Sequence, residues 1–424
     1  MRALKNSTVW AAGARCVRAV GLVCAAACLA ACSPSEPATP LVKIAFVDPL
    51  SGTFGEVGRN QLRSWQWVAE RHNAQAAPGA MRFQVVGFDN RGSPQESVNA
   101  IKVIIDQGFR YVVQGSSSGV AHLIVETLNR HNGRSLGREV LYLNYAAMDP
   151  ALTNEQCSLW HFRVDADTSM KVEALALYLL DQPQIKKIFL LNQNYAHGQQ
   201  VSAFFKAALA RHRPDVNIVG DELHPLGTVQ SFDAHLGRIR SSGAQAVVTG
   251  NWGPDLTGLV RSMGTAELNL PLFTYYAALS DTPQALTQLS QAKVYMVATH
   301  HQQHGGDLGR LMQEFHDAHG ENWAGVAPHT GLHLLAKAME STGSTEPSRV
   351  GPVLAGLGLA ALHGPVQMRR DDHQLQTGLW LSRWQAVKPA TDVNPDNRGF
   401  AFAPVAFVPA ERLAQPSTCS MQRP

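Results

Sequence analysis

The sequence predicts an α/β protein built as two Rossmann-like lobes with parallel sheets. Short apolar, β-branched runs alternate with segments whose apolar residues recur at helical spacing. The alternation runs to about residue 143 and resumes at 187, as though one unit had ended and a second begun. At 424 residues the chain is too long for one ordinary domain and comfortable for two.

Residues 1–31 read as an export signal: Arg2, Lys5, Arg15 and Arg18 precede the small, apolar run 19–31, which is too short to span a bilayer comfortably. Its last residues, Leu29-Ala30-Ala31-Cys32, resemble the lipobox of bacterial lipoproteins, in which the Cys thiol is alkylated with a diacylglyceryl group after cleavage. That resemblance implies a lipid anchor on Cys32, each buried methylene contributing about 0.8 kcal/mol. Residues 32–40 (CSPSEPATP) then form a Pro-rich tether. Without the signal the chain holds 393 residues with 32 Lys and Arg against 33 Asp and Glu, so the formal charge of +3 belongs to the leader. The remaining bases are scattered, which excludes a nucleic-acid footprint. Cys16, Cys24 and Cys28 leave with the signal, and the two cysteines that remain besides Cys32, Cys157 and Cys419, predict a disulfide in an oxidising compartment.

Strands are predicted at 42–47 (VKIAFV), 83–88, 111–113 and 140–143, with helices at 61–73, 97–106 and 122–129 between them. A second series follows: a strand at 187–191 and helix at 198–211, then a strand at 246–249 and helix at 255–262. Strands at 272–275 and 294–298 and helices at 308–319 and 330–340 complete it. Beyond Gly364, short strands at 366–368 and 378–384 precede a Pro/Asn-rich tail, 391–424.

Two parallel sheets place ligands beyond the C-terminal ends of their strands, in the cleft between lobes. The residues there are DPLSGTFG after the first strand, then GSSSG, NYAA, NQNY, GNWG and TYY. Such a cleft is polar and aromatic-walled, without a clustered acid, base or nucleophile pair. Within YVVQGSSSGVAHLIVE, a Ser-rich turn opens a helix, and its free N–H groups and hydroxyls suit a carboxylate. Ser at that place also serves as an ordinary N-cap.

The stretches DPLSGTFGEVG, GSSSGVA, NYAAMDPALT, LLNQNYAHGQ and HGPVQMRRDDHQLQ, in that order, resemble the leucine/isoleucine/valine-binding type of bacterial solute-binding protein. The resemblance spans nearly the whole mature chain. It implies the type I periplasmic-binding fold, with a three-segment hinge near Val164, Ala298 and Asp371: lobe 1 from 41–163 plus 299–371, lobe 2 from 164–298 plus 372–390. It also implies a monomer on the periplasmic side of the bacterial envelope that closes on a small-molecule solute and presents it to an ABC transporter permease. By position, Ser116, Ser117 or Ser118 receives a solute carboxylate, Tyr145 and Ala146 line the next turn, Ala146 through its backbone, and Tyr195 and Trp252 form aromatic walls. Phe54 lies in the first turn, where a bulky side chain covers the ligand, and Tyr276 or Ala277 stands where the amino-acid binders place a Glu against the ligand ammonium.

That departure, with Met148 in place of a Thr, leaves a ligand cation without a partner, and a buried charge needs one. A neutral or anionic solute is therefore expected. Asp255 near Trp252 is the one substitute counter-ion, but its place just inside a helix suits a dipole partner better. His300, His301 and His304 form an H-H-x-x-H cluster that no Cys or carboxylate completes, so neither metal nor cofactor is expected. Gly115 to Gly119 fits G-x-S-x-G around Ser117, yet no acid and His accompany it in order, so an enzyme is not expected. Trp65 and Trp67, on a helix, are expected to pack. The other reading is an envelope lipoprotein that uses this fold for protein–protein regulation.

Overall fold

A computed structural model describes residues 41–279, 281–288, 293–387, 399–421 and 423. The export signal, Cys32 and the tether lie outside them.

The first sheet is wholly parallel, in the order β2-β1-β3-β4-β5. Its strands are β1 (Leu41–Asp48), β2 (Arg82–Asp89), β3 (Tyr111–Gln114), β4 (Leu141–Asn144) and β5 (His161–Arg163). Helices α1 (Gly55–Gln75), α2 (Pro94–Asp106) and α3 (Ser118–Asn132) cross over between the strands. β3 and β4 are buried at every position, as strands covered on both faces must be. Trp65 and Trp67 pack into this core, on Tyr145 and on Phe315 and Trp323 respectively.

The chain passes to the second lobe through α4 (Thr168–Tyr178). There β6 (Lys187–Gln193), β7 (Asn217–His224), β8 (Ala246–Val248), β9 (Leu272–Thr274) and β10 (Val294–Ala298) run parallel. Between them lie α5 (Ala196–His212), α6 (Asp233–Ser241), α7 (Gly253–Thr265) and α8 (Thr282–Thr287). The second crossover returns the chain to α9 (Gly306–His319), α10 (Val326–Thr342) and α11 (Pro347–Leu354), whose apolar faces join the first core. A small antiparallel sheet of β11 (Gly358–Ala361), β12 (Gly364–Met368) and β13 (Leu375–Gln376) follows.

Two expectations are corrected. Leu375 is buried in the first-lobe core, and the next strand in the second sheet is β14 (Leu379–Ala386). The third crossover is therefore at about 377–378, beyond Asp371. Of the expected tail, 391–398 lie outside the described residues, and the part from Phe400 is structured: β15 (Phe400–Val408) pairs antiparallel with β14 and closes the edge of the second sheet, β15-β14-β10-β9-β8-β6-β7. Helix α12 (Ala410–Leu413) then buries Leu413 in the second core. The segment beyond returns to the first lobe, where Arg369 Nη1 donates to the Gln415 carbonyl (2.8 Å), Asn154 Oδ1 accepts from Thr418 N (3.0 Å), and Cys419 is bonded to Cys157.

The first crossover is stitched to the turn between β12 and β13, ahead of the third. Arg163, fully buried, donates from Nε to Gln374 Oε1 (2.7 Å) and from Nη1 to the carbonyls of Ala147 (3.0 Å) and Asp149 (2.6 Å). Phe162 stacks on His373 at 3.9 Å. Asp372 accepts from Arg369 Nε and Gln374 N, so Asp371-Asp372-His373 belongs to the turn that joins β12 to β13.

Candidate functional site

β1 ends in Asp48, wholly buried. Its Oδ2 accepts from Gly115 N (2.9 Å) and its Oδ1 from Ser116 N (3.0 Å), while the Tyr145 hydroxyl also donates to it. Burial raises its carboxyl to about 6, against the pull of those donors. Gly115 is required here, because a Cβ would stand 2.7 Å from the Tyr145 ring. α1 comes down onto the turn after β1 because Gly58 has no side chain; a Cβ there would meet the Pro49 carbonyl oxygen at 1.7 Å. Val57 and Gln61 of α1 are thereby brought to the cleft.

Ser117 caps α3, its Oγ accepting from Val120 N at 3.4 Å. With the N–H groups of Gly115 and Ser116 held by Asp48, what the turn offers a ligand is its hydroxyls and the first N–H groups of α3. At the next turn Asn144 Oδ1 accepts from Ala146 N (3.2 Å) and Ala147 N (2.8 Å). The Ala146 N–H is thus already engaged.

From the second lobe come Tyr195 and His197 at the start of α5, Trp252 at the start of α7 and Tyr276 beyond β9. α5 is seated by Gly198, where a Cβ would lie 1.9 Å from the Gln193 carbonyl oxygen. Trp252 Nε1 donates to the Tyr195 hydroxyl (2.8 Å). His197 is buried, which lowers its imidazole to about 4; Nδ1 lies 3.1 Å from Thr168 Oγ1 and Nε2 has no hydrogen-bond partner.

These groups line a chamber between the lobes. Ser116, Ser117, Ser118, Tyr145, Ala146, Tyr195, Trp252 and Tyr276 all line it. Phe54 lies at its edge, its ring 4.4 Å from that of Trp252. Asp255 does not line it; its Oδ2 accepts from Gln193 Nε2 and Gly227 N, both at 2.7 Å, and so braces the second lobe. Sequence reasoning missed Val57, Gln61, His197 and Leu279. His197 alone carried a signal, two residues after Tyr195 at a helix start; the others look like any helical or loop residue until the lobes meet. His301 stacks on His304 at 3.9 Å, against Trp380, and among the described residues no three candidate ligands gather for a metal.

Two α/β lobes closed over a polar, aromatic chamber are the architecture of a binding protein. The profile of the family described as periplasmic binding protein matches residues 41–390. The chain belongs to that family. Within it the resemblance is to the leucine/isoleucine/valine-binding type: Leu/Ile/Val-binding protein homolog 4 of Brucella melitensis biotype 1 is 27% identical over 417 residues, 95% of this chain and 98% of the relative. Among solved structures, the leucine-, isoleucine-, valine-, threonine-, and alanine-binding protein from Brucella ovis, in a closed conformation, superposes with a TM-score of 0.80 at 24% identity, covering 91% of this chain and 100% of the other. A solute binding protein of an ABC transporter from Rhodopseudomonas palustris HaA2, in complex with p-hydroxybenzoic acid, superposes with a TM-score of 0.74 at 17% identity, covering 87% and 97%. The relatives of this periplasmic binding protein are binding proteins rather than enzymes. Among the described residues no helix is long and apolar enough to cross a membrane.

Proposed function

We propose that the chamber receives a small carboxylate-bearing solute, neutral or anionic overall. Its carboxylate rests on the Ser116–Ser118 turn at the start of α3, its body lies between Tyr195, Trp252 and Tyr276, and Phe54 closes over it. One observation carries this reading: three serines at a helix N-terminus face an aromatic wall, and no Asp or Glu is among the lining residues. A zwitterionic amino acid held on that turn would bring its ammonium into a chamber whose own lining has no carboxylate to pair it, which is strongly disfavoured. Neighbours of the same fold in complex with p-hydroxybenzoic and 3,4-dihydroxy benzoic acid illustrate the solute class. We read Cys32 as the lipid anchor and the protein as a periplasmic-side monomer that delivers its solute to a permease, the solute favouring the closed form by its differential affinity.

A branched-chain amino acid is the second reading, favoured by the names of the relatives. Isothermal titration separates the two. Saturable binding of benzoate or 4-hydroxybenzoate, with none of leucine, isoleucine or valine, is expected; tight leucine binding overturns the anionic-solute reading.

A further inference from the structure

Beside the first chamber lies a second, and the two share Gln61, Tyr145, Ala146, Tyr276 and Leu279 as walls. They are neighbouring compartments of one cleft. The second is lined from the hinge side, by Asp165 and Lys171 after the first crossover, His300 at the second, Tyr275 beyond β9 and Trp323 ahead of α10, with Met296 and Met312 as apolar surface.

Its polar groups are out of balance. Tyr275 is buried and its hydroxyl has no hydrogen-bond partner; the same holds for Trp323 Nε1. Lys171, also buried, donates to Asp165 Oδ2 at 2.8 Å, and an ammonium carries three N–H groups. The Asp165 carboxylate is engaged at both oxygens, since Oδ1 accepts from Ala166 N at 2.8 Å. The carboxylate–ammonium pair is neutral as a unit, and the ammonium also lies over the Tyr276 ring at 5.5 Å; what is left over is the Trp323 N–H, the remaining Lys171 N–H groups and the Tyr275 hydroxyl, which can donate or accept. Buried polar groups in folded proteins are normally paired, so these unmatched donors call for an acceptor from outside the chain.

We propose that the second chamber receives the far end of the solute, and that this end is an apolar or aromatic body bearing a hydrogen-bond acceptor: a hydroxyl, a carbonyl or a second carboxylate. The proposal rests on the carboxylate reading of the first chamber and extends it from one recognised group to two.

The test uses a matched series, 3-phenylpropanoate and its para-hydroxy and para-carboxy derivatives, titrated calorimetrically into the purified protein. The para-substituted members bind about tenfold more tightly than the parent, the worth of one or two neutral hydrogen bonds. Tyr275→Phe, which removes only the orphan hydroxyl, narrows that gap, whereas Ser118→Ala weakens parent and derivatives alike. In parallel, the indole N–H resonance of Trp323, assigned by Trp323→Phe, shifts downfield on adding the derivatives and not the parent. Equal affinity across the series, or a gap that Tyr275→Phe leaves intact with a static Trp323 resonance, overturns the second-chamber proposal while the carboxylate reading stands. Binding of no member, by protein whose circular dichroism is native, overturns the carboxylate reading and this proposal with it.

Discussion

The ring of Phe54, from the turn that follows β1, lies 4.4 Å from the indole of Trp252 across the interlobe cleft. It is accommodated by two glycines of the second lobe, Gly227 and Gly253, whose absent Cβ atoms would stand 2.9 Å and 3.3 Å from it, and both have positive φ. The contact exists only when the lobes are together. Asp149 of the first lobe, held by His122 of the same lobe, makes a second one by accepting from Gln200 of α5. Phe54→Ala is expected to shift the equilibrium toward the open form and to weaken solute binding about tenfold, the worth of an aromatic pair. Titration calorimetry reads the affinity, and the radius of gyration from solution scattering reads the opening.

Gly198→Ala drives a methyl into the Gln193 carbonyl, and backbone cannot step aside as a flexible side chain can. The expected loss is about 1–3 kcal/mol, as for overpacking elsewhere. Thermal unfolding measures it, and displacement of Tyr195 and His197 should lower solute affinity in the same variant.

Burial lowers His197, His363 and His373 to about 4 and His300 and His329 to about 3. Between those values and the ordinary 6.5 the unfolded chain binds more protons than the folded one, so stability present above pH 6.5 is lost as pH falls toward 4. Asp48 acts in the opposite sense. With its carboxyl raised to about 6, its contribution is present below the unfolded value and lost as pH rises through 6. The histidines outnumber it, so denaturant midpoints measured from pH 7.5 to 4.5 should fall throughout.

Asp48 also sits under the turn proposed to hold the solute carboxylate. Two like charges that close favour protonation of one. Binding of an anionic solute should therefore take up protons near pH 6.5, seen as a dependence of the calorimetric enthalpy on buffer ionisation heat, and affinity should rise as pH falls toward 5.5. Asp48→Asn should abolish both effects.

Replacing Cys419 by Ser frees the end of the chain from a loop that encloses most of the described fold, the bonded cysteines standing 262 positions apart in sequence. The expected cost is about 2–5 kcal/mol, read from denaturant unfolding with and without reductant.

Most strands of both lobes were legible because parallel strands read as apolar runs bounded by turns, and the polar strand ends gave the aromatic wall directly. α4 was not, since Thr168 through Ala176 are buried all round and carry no amphipathic period. β7 was hidden for the opposite reason: NIVGDELH is a half-exposed edge strand interrupted by Gly220. β15, with Pro404 inside it, reads as tail; an edge strand tolerates that proline because one side of its ladder is unpaired. The second chamber escaped notice because its residues flank the crossovers, where sequence marks only a change of lobe.

The segment from Leu413 to Cys419 works as a door chain. It is fastened to the second lobe by packing and to the first by a covalent bond, and six residue steps give it about 20 Å of reach when taut. Opening the lobes therefore has to straighten or unseat this segment as well as bend the three crossovers, and its first-lobe end is a bond that a reductant can cut.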